Sequence, residues 1–481
     1  MSTPIDAGVH SYQMKGVKPK LKMPTDLYGA SGPGQLTPST PITHALAHGN
    51  REYPIPSTTS SVSKCLEMCI FLRDGTGHEF NVEGGKRATA QELCTLMQTN
   101  LNLPPVASEL FCMWLTSPLL KLQLKPHHVP YKLFRQWPDL LDRFTSATEE
   151  QKNRDEPILC YQRNAFFPKG REKRIRDPSV LDRLYHEAKD NILEGYYPCT
   201  CEEYDKLAGY LARIDLGPFN INVHTPAFFR ERLAEFYPAH SCKTSWSLPV
   251  SSKTTAEYRI IEYYKRLSGS ERDMVFKKLF LETCWSFPFY GSVFFNGQIE
   301  KPVQGRSVRD NHDRPVYVAI NREGVFITDI GKCDLLLSLS FDDLSWEYTE
   351  PAKTSQKATS CLPCLWLQFD SEESGQNVSK LLQVFSKQAV MMNAMIEACV
   401  EELNKADPDR QGTDNMTQTD GGGDTVDAAI DMPLRIPSEK SRLERLSLAT
   451  VSDTGVVIQK PNKRPLSLTN FFRRQDSTKG T

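Results

Sequence analysis

No stretch of this 481-residue chain approaches the roughly 20 consecutive apolar residues that a membrane-spanning helix needs, so no integral membrane protein is expected. The N-terminus, MSTPIDAGVHSYQMKG, lacks the apolar core of a secretory signal. Net charge is nearly absent: 58 Lys and Arg meet 59 Asp and Glu, for a formal −1. With a pI near 6.8, bulk electrostatic binding of nucleic acid by the whole chain is excluded. Catalytic signatures are missing as well. HExxH, GxSxG, GxxxxGK[ST] and GxGxxG do not occur, and the sequence offers no catalytic residue, metal site or cofactor site. The 13 cysteines are odd in number and scattered through apolar segments. They read as reduced thiols of a cytosolic protein, not as a disulfide framework.

What is present suffices for real cores: 39% of residues are hydrophobic and 10% aromatic. A mean hydropathy of −0.45 points to polar tails beside them. Residues 1–62, rich in Pro, Gly, Ser and Thr, show no period and predict a disordered tail. Residues 406–481 predict a second one, split by charge. Seven Asp against one Arg occupy 406–432, and nine Lys and Arg against four acids occupy 439–481.

Between the tails the hydrophobic period changes twice. From 63 to 170 it predicts strand, strand, helix, strand, strand, short helix, strand, the order of a ubiquitin-like roll. The helix lies at 89–103, with Leu93, Leu96, Met97 and Leu101 on one face and Pro104-Pro105 as its stop. From 171 to 285 the period is helical. Asp177-Pro178 forms an N-cap and N1 pair, and Thr200-x-x-Glu203 has capping-box form. From 286 to 405 short strands follow one another and end in a helix over 387–405, the pattern of a pleckstrin-homology or phosphotyrosine-binding barrel. The aromatic stretch FPFYGSVFF (287–295) is expected to be its first strand and the joint between lobes.

This α+β order of three lobes resembles the FERM domain family. DNILEGYYPCTCEEYDKLAGYLARIDLGPFN (190–220) is similar to the middle lobe of that family, and PFYGSVFF to the junction where its third lobe begins. The resemblance covers about 63–403 and implies a non-enzymatic adaptor that binds cytoplasmic tails of membrane proteins from the inner face of the plasma membrane. It further implies specific partners: the cytoplasmic N-termini of iRhom pseudoproteases, through them the cell-surface sheddase, and the tail of the Wnt co-receptor. An ezrin-type cytoskeletal linker or a phosphoinositide-binding scaffold is the alternative. The absence of sustained heptads after Ala406 argues against the linker.

Barrels of the third-lobe type take extended peptides along a sheet edge, with the C-terminal helix as the other wall. By order, the candidate groove consists of Leu344, Trp346 and Tyr348 on the edge strand and Met391, Met392 and Met395 on the helix. The cations Lys169, Arg171, Lys173, Arg174 and Arg176 form a candidate patch for anionic phospholipid or an acidic partner, though a solvated linker is the simpler account. Ser447 and Ser467 follow basic residues and are candidate phosphosites. Leu468-x-x-Phe471-Phe472 echoes a clamp-binding box but has Pro465 where Gln is required. Cys361-x-x-Cys364 leads into a strand with no second ligand pair in its lobe, and His127-His128 sit between prolines. Both read as loop residues and not as ligands.

Overall fold

A computed structural model of the chain describes residues 65–241, 255–267, 269, 271–300, 313–351, 362–373, 376–406, 442–443, 445–451 and 457–459. The expected tail 1–62, Cys361 and Ser467 lie outside the described residues. In the first lobe, strands β1 (Cys65–Phe71) and β2 (Gly77–Glu83) form a hairpin. Helix α1 (Ala90–Asn100), a short α2 (Ala107–Leu110), β3 (Phe111–Thr116) and β4 (Lys121–Gln123) follow. Three short helices, α3 (Pro130–Arg135), α4 (Trp137–Phe144) and α5 (Glu149–Asn153), precede β5 (Ile158–Arg163). The sheet order is β2-β1-β5-β3-β4, with β5 parallel to β1. Thr89 and Glu92 cap α1 reciprocally, and Leu93 and Met97 are fully buried in one core with Ile70, Leu110 and Met113.

The one-turn α6 (Lys169–Glu172) leads into the helical lobe: α7 (Pro178–Leu193), α8 (Cys201–Leu216), α9 (Pro226–Arg232), α10 (Ala256–Arg266) and α11 (Asp273–Trp285). Both caps read from sequence are made. Asp177 accepts from the Val180 amide at 3.0 Å, and Thr200 and Glu203 exchange bonds at 3.3 and 2.7 Å. At Gly209 an added Cβ would stand 2.8 Å from the Cβ of Tyr263, so α8 and α10 pack closely there only because the residue is glycine.

The third lobe runs β6 (Val293–Ile299), β7 (Arg314–Asn321), β8 (Gly324–Asp329), β9 (Asp334–Leu339), β10 (Ser345–Thr349), β11 (Cys364–Glu373), β12 (Gln376–Phe385) and α12 (Ala389–Ala406). Its strands pair antiparallel in the order β10-β11-β12-β6-β7-β8-β9. Met392, Ile396 and Cys399 of α12 are fully buried in a core with Val318, Ile327, Leu365 and Val384. Part of the segment expected to be a free tail belongs to this fold instead. Strand β13 (Ala449–Val451) pairs with β12, and β14 (Val457–Gln459) pairs with β13.

FPFYGSVFF is not one strand. Pairing begins at Val293, and 287–291 is a turn. Pro288 has no N–H to give a ladder, and Gly291 sits at φ +71, a conformation that disfavours other residues. An added Cβ at 291 would also lie 2.5 Å from Arg163 Nη1. The turn is tied down by every lobe. The Gly291 amide donates to the Tyr197 hydroxyl at 3.1 Å, and Asn321 Nδ2 donates to the carbonyls of Pro288 and Tyr290 at 2.8 and 3.1 Å. Phe287 stacks on Phe289 with ring centres 5.4 Å apart.

Beneath the turn lies Glu172, with none of its surface exposed. Its carboxylate accepts from Arg163 Nε at 2.6 Å, Trp285 Nε1 at 2.7 Å and Tyr290 Oη at 2.6 Å. Arg163 spends its other donors on the carbonyls of Phe167, Asn164 and Gly291. Removing one partner of such a pair strands a buried charge, at a cost of about 3–5 kcal/mol. Glu172→Ala should therefore lower Tm markedly in a thermal melt. Arg171→Ala, one residue away and paired with Glu109 in solvent, should leave Tm within error of wild type. Equal melting of Glu172→Ala and wild type would refute the role given to this carboxylate.

Candidate functional site

Strand β10 ends the third-lobe sheet. It pairs with β11 from Ser345↔Gln368 to Thr349↔Cys364 and, among the described residues, with no strand on its other side. Helix α12 packs against β10 and β11, so the open backbone edge of β10 lies beside a helix. Trp346 and Tyr348, two residues apart, share one face of the strand. They and Met391 of α12 are only partly buried against the third-lobe core. The Tyr348 hydroxyl donates to Glu350 at 3.3 Å. Burial, and then the Glu350 carboxylate, raise its pKa, so the phenol stays a neutral donor at physiological pH. The first lobe meets the approach to α12: Lys387 Nζ donates to the carbonyl of Asp142, near the end of α4, at 3.1 Å. An extended segment laid on this edge would bond to the β10 backbone and turn alternate side chains toward Trp346, Tyr348 and Met391.

Not all six residues expected in the groove are on its surface. Met392 is fully buried, and Leu344 and Met395 are less than a tenth exposed. They form the core beneath the groove and present no face to a peptide. The reason is helical geometry: Met392 lies about 100° around α12 from Met391, which turns the first inward and the second outward.

The basic cluster does not form one face. Lys169 reaches Glu323 at 2.7 Å and the Phe287 carbonyl at 3.1 Å, and Arg171 pairs with Glu109 at 2.7 Å. Lys173, Arg174 and Arg176 are exposed, and Arg176 donates to the carbonyls of Lys173 and Ile175. The structure thus exposes four of the five cations, leaves Lys169 half-buried, and pairs Lys169 and Arg171 with carboxylates of other lobes. Ser447 is buried beside the third lobe, a placement that sequence reasoning missed. The sequence also gave no sign of the Arg163–Glu172 pair, whose residues are brought together by tertiary packing.

Among the described residues no group of three or more His, Cys, Asp or Glu is placed to hold a metal ion. No described helix is long and apolar enough to cross a membrane. Cys364, half of the CxxC pair, is a buried free thiol whose pKa is pushed by burial up to about 12, unsuited to thiolate chemistry.

A ubiquitin-like roll, a helical lobe and a barrel capped by a helix, joined through one buried junction, constitute a FERM domain. Comparison with known families agrees: residues 171–295 match the FERM central domain, and residues 314–395 match the KRIT1/FRMD8 FERM domain C-lobe. The chain is 37% identical to FERM domain-containing protein 8 of Mus musculus over 461 residues, covering 90% of this chain and 96% of that one. For the Homo sapiens protein the identity is 37%, over 87% and 92% of the two chains. For that of Danio rerio it is 34%, over 91% and 94%. The chain belongs to the FERM domain-containing protein 8 family. Among solved structures, the human Myosin 7b C-terminal MyTH4-FERM domain aligns with a TM-score of 0.46 at 17% identity, over 70% of this chain and 60% of that one.

Burial sets the reactivity of the thiols. Cys65 and Cys201 are exposed, whereas Cys364 and Cys399 are buried with pKa values pushed to about 12. Iodoacetamide applied to the native protein at pH 8 should label Cys65 and Cys201 and spare Cys364 and Cys399 until denaturant is added, as read by peptide mass spectrometry. Prompt native labelling of Cys364 would contradict this placement.

Proposed function

We propose that this FERM protein is a non-enzymatic adaptor that binds the cytoplasmic tails of membrane proteins in the groove between β10 and α12. The observation that carries the reading is the one-sided pairing of β10 beside a helix, with Trp346, Tyr348 and Met391 left partly exposed along it. Backbone bonds to such an edge supply affinity without sequence preference, and the aromatic and thioether side chains select what lies over them. Membership of the FERM domain-containing protein 8 family supports iRhom cytoplasmic N-termini as the partner. The adaptor would then stabilise the sheddase complex at the inner face of the plasma membrane. A further link, to the Wnt co-receptor tail, rests on family resemblance alone. Binding to anionic phospholipid draws less support, since Lys169 and Arg171 of the basic cluster are already paired with Glu323 and Glu109.

The test uses the full-length chain and a purified iRhom cytoplasmic N-terminal segment. A Trp346→Ala, Met391→Ala double variant should bind at least about tenfold more weakly than wild type, the equivalent of about 1.4 kcal/mol. Its Tm should stay close to that of wild type, because neither side chain is fully buried. Equal binding by both proteins would place the partner elsewhere on the FERM domain. Binding by neither would remove iRhom as the partner.

A further inference from the structure

The second edge of β12 is the other place where the third lobe meets an added strand. Among the described residues β6 reaches that edge only at Phe385↔Gln298, and the chain's own C-terminal segment pairs with it at Ser379↔Val451, Lys380↔Thr450 and Leu381↔Ala449. The segment is seated like a ligand. Arg445 Nη2 donates to Asp334 at 2.9 Å, and the Arg445 carbonyl accepts from Arg314 at 3.1 Å. Leu446 enters the third-lobe core, and Ala449 and Val451 cover Cys364, Trp366 and Leu381. Lys380 Nζ donates to Thr450 Oγ1 at 2.9 Å.

Two features set this strand apart from the rest of the sheet. Its ladder to β12 is only three residue pairs long, and 42 positions of sequence separate it from the end of α12 at Ala406, so few backbone bonds hold it to the sheet. Two residues before it, the Ser447 hydroxyl is enclosed and, among the described residues, has no hydrogen-bond partner. The same serine follows Arg442-x-x-Arg445-Leu, a form that basic-directed kinases accept. A phosphate adds about −1.5 to −2 charges and three acceptor oxygens, a group that this buried position is too closed to take without moving the segment. Two arginines of the seat are engaged: Arg445 with Asp334, and Arg314 with Asp329 at 3.5 Å and with the Arg445 carbonyl.

We propose that residues 445–451 are a detachable ligand of the chain's own third lobe, and that phosphorylation of Ser447 holds them off and uncovers the β12 edge for an extended segment of the same pattern. The modification is an ordinary transfer from ATP. The bond from the γ-phosphorus to the ADP oxygen breaks, the Oγ–P bond forms, and the hydroxyl proton passes to the base of the kinase. The kinase meets Ser447 when the short strand lifts, and the phosphate then prevents its return. Use of the bared edge by a partner rests on the reading of this lobe as a peptide binder; detachment does not.

The test begins with folded full-length protein, phosphorylated at Ser447 by a basic-directed Ser/Thr kinase, alongside Ser447→Glu and Ala449→Asp variants. Hydrogen-exchange protection should fall at least tenfold at Ser379–Leu381 and at Ala449–Val451 and stay unchanged in α7 and β3. A fluorescent, unmodified peptide of residues 442–459 should bind all three altered proteins and not wild type, whose site is filled. Unchanged or raised protection after phosphorylation would overturn the proposal. So would failure of the kinase to modify the folded chain while it modifies the free peptide. Because no membrane-protein tail enters the assay, its outcome is independent of the β10 groove.

Discussion

Glu172 is the carboxylate on which the arrangement of the lobes depends. It sits on a single turn of helix between the first and second lobes and takes bonds from β5, from the last residue of α11 and from the turn that opens the third lobe. Burial of an ion pair is costly, and the pair is retained only where every donor and acceptor is used. That condition is met here: Arg163 distributes its guanidinium over one carboxylate and three carbonyls, and its ring-stacked neighbour Tyr290 closes the site. Tyr290 itself is held neutral, its pKa raised by burial and then by the adjacent Glu172. Since the bonds radiate into all three lobes, the junction fixes where α4 of the first lobe meets the start of α12.

The third lobe is an open sheet and so carries the problem of free edges. Natural sheets manage such edges by covering, charging or shortening them. This lobe treats its edges differently. The free side of β12 is covered by the chain's own C-terminal strand, which brings three apolar side chains, Leu446, Ala449 and Val451, and a Lys380–Thr450 hydrogen bond. The free side of β10 is left beside α12. Covering β12 at 379–381 removes three positions from the backbone groups open to pairing, while β10 and β9, the two terminal strands of the order, each pair on one side among the described residues.

Much of the architecture was legible because it is local. The Asp177 cap and the Thr200–Glu203 box follow from spacing within a few residues, and both appear as expected. What escaped was set by distant pairing. FPFYGSVFF has the composition of a strand, but its first half is bent into a turn by contacts with Arg163, Tyr197 and Asn321, of which the nearest in sequence is about 30 residues away. The C-terminal strand was hidden for a similar reason: three residues carry no readable period, and their partners lie some 70 positions earlier. The basic run 169–176 concealed an acid of the opposite role, since composition weighs five cations against one Glu and cannot tell which of them is buried.

The candidate groove was legible at the level of elements and less so at the level of side chains. Strand order located β10 and α12, whereas the division of their residues between surface and core depends on the rotation of one helix. Met391 and Met392 are chemically identical and adjacent, yet one lines the groove and the other is sealed beneath it. This closeness has a consequence for how binding at the site is read. The floor of the groove is the core of the lobe, so truncating Leu344, Met392 or Met395 creates a cavity worth about 2–5 kcal/mol and weakens any ligand through loss of the fold. A ligand in turn stabilises the folded lobe in proportion to its occupancy, so stability and affinity are linked at this surface. Only Trp346, Tyr348 and Met391, partly exposed and outside the sealed layer, can separate a contact with a partner from the integrity of the lobe that presents it.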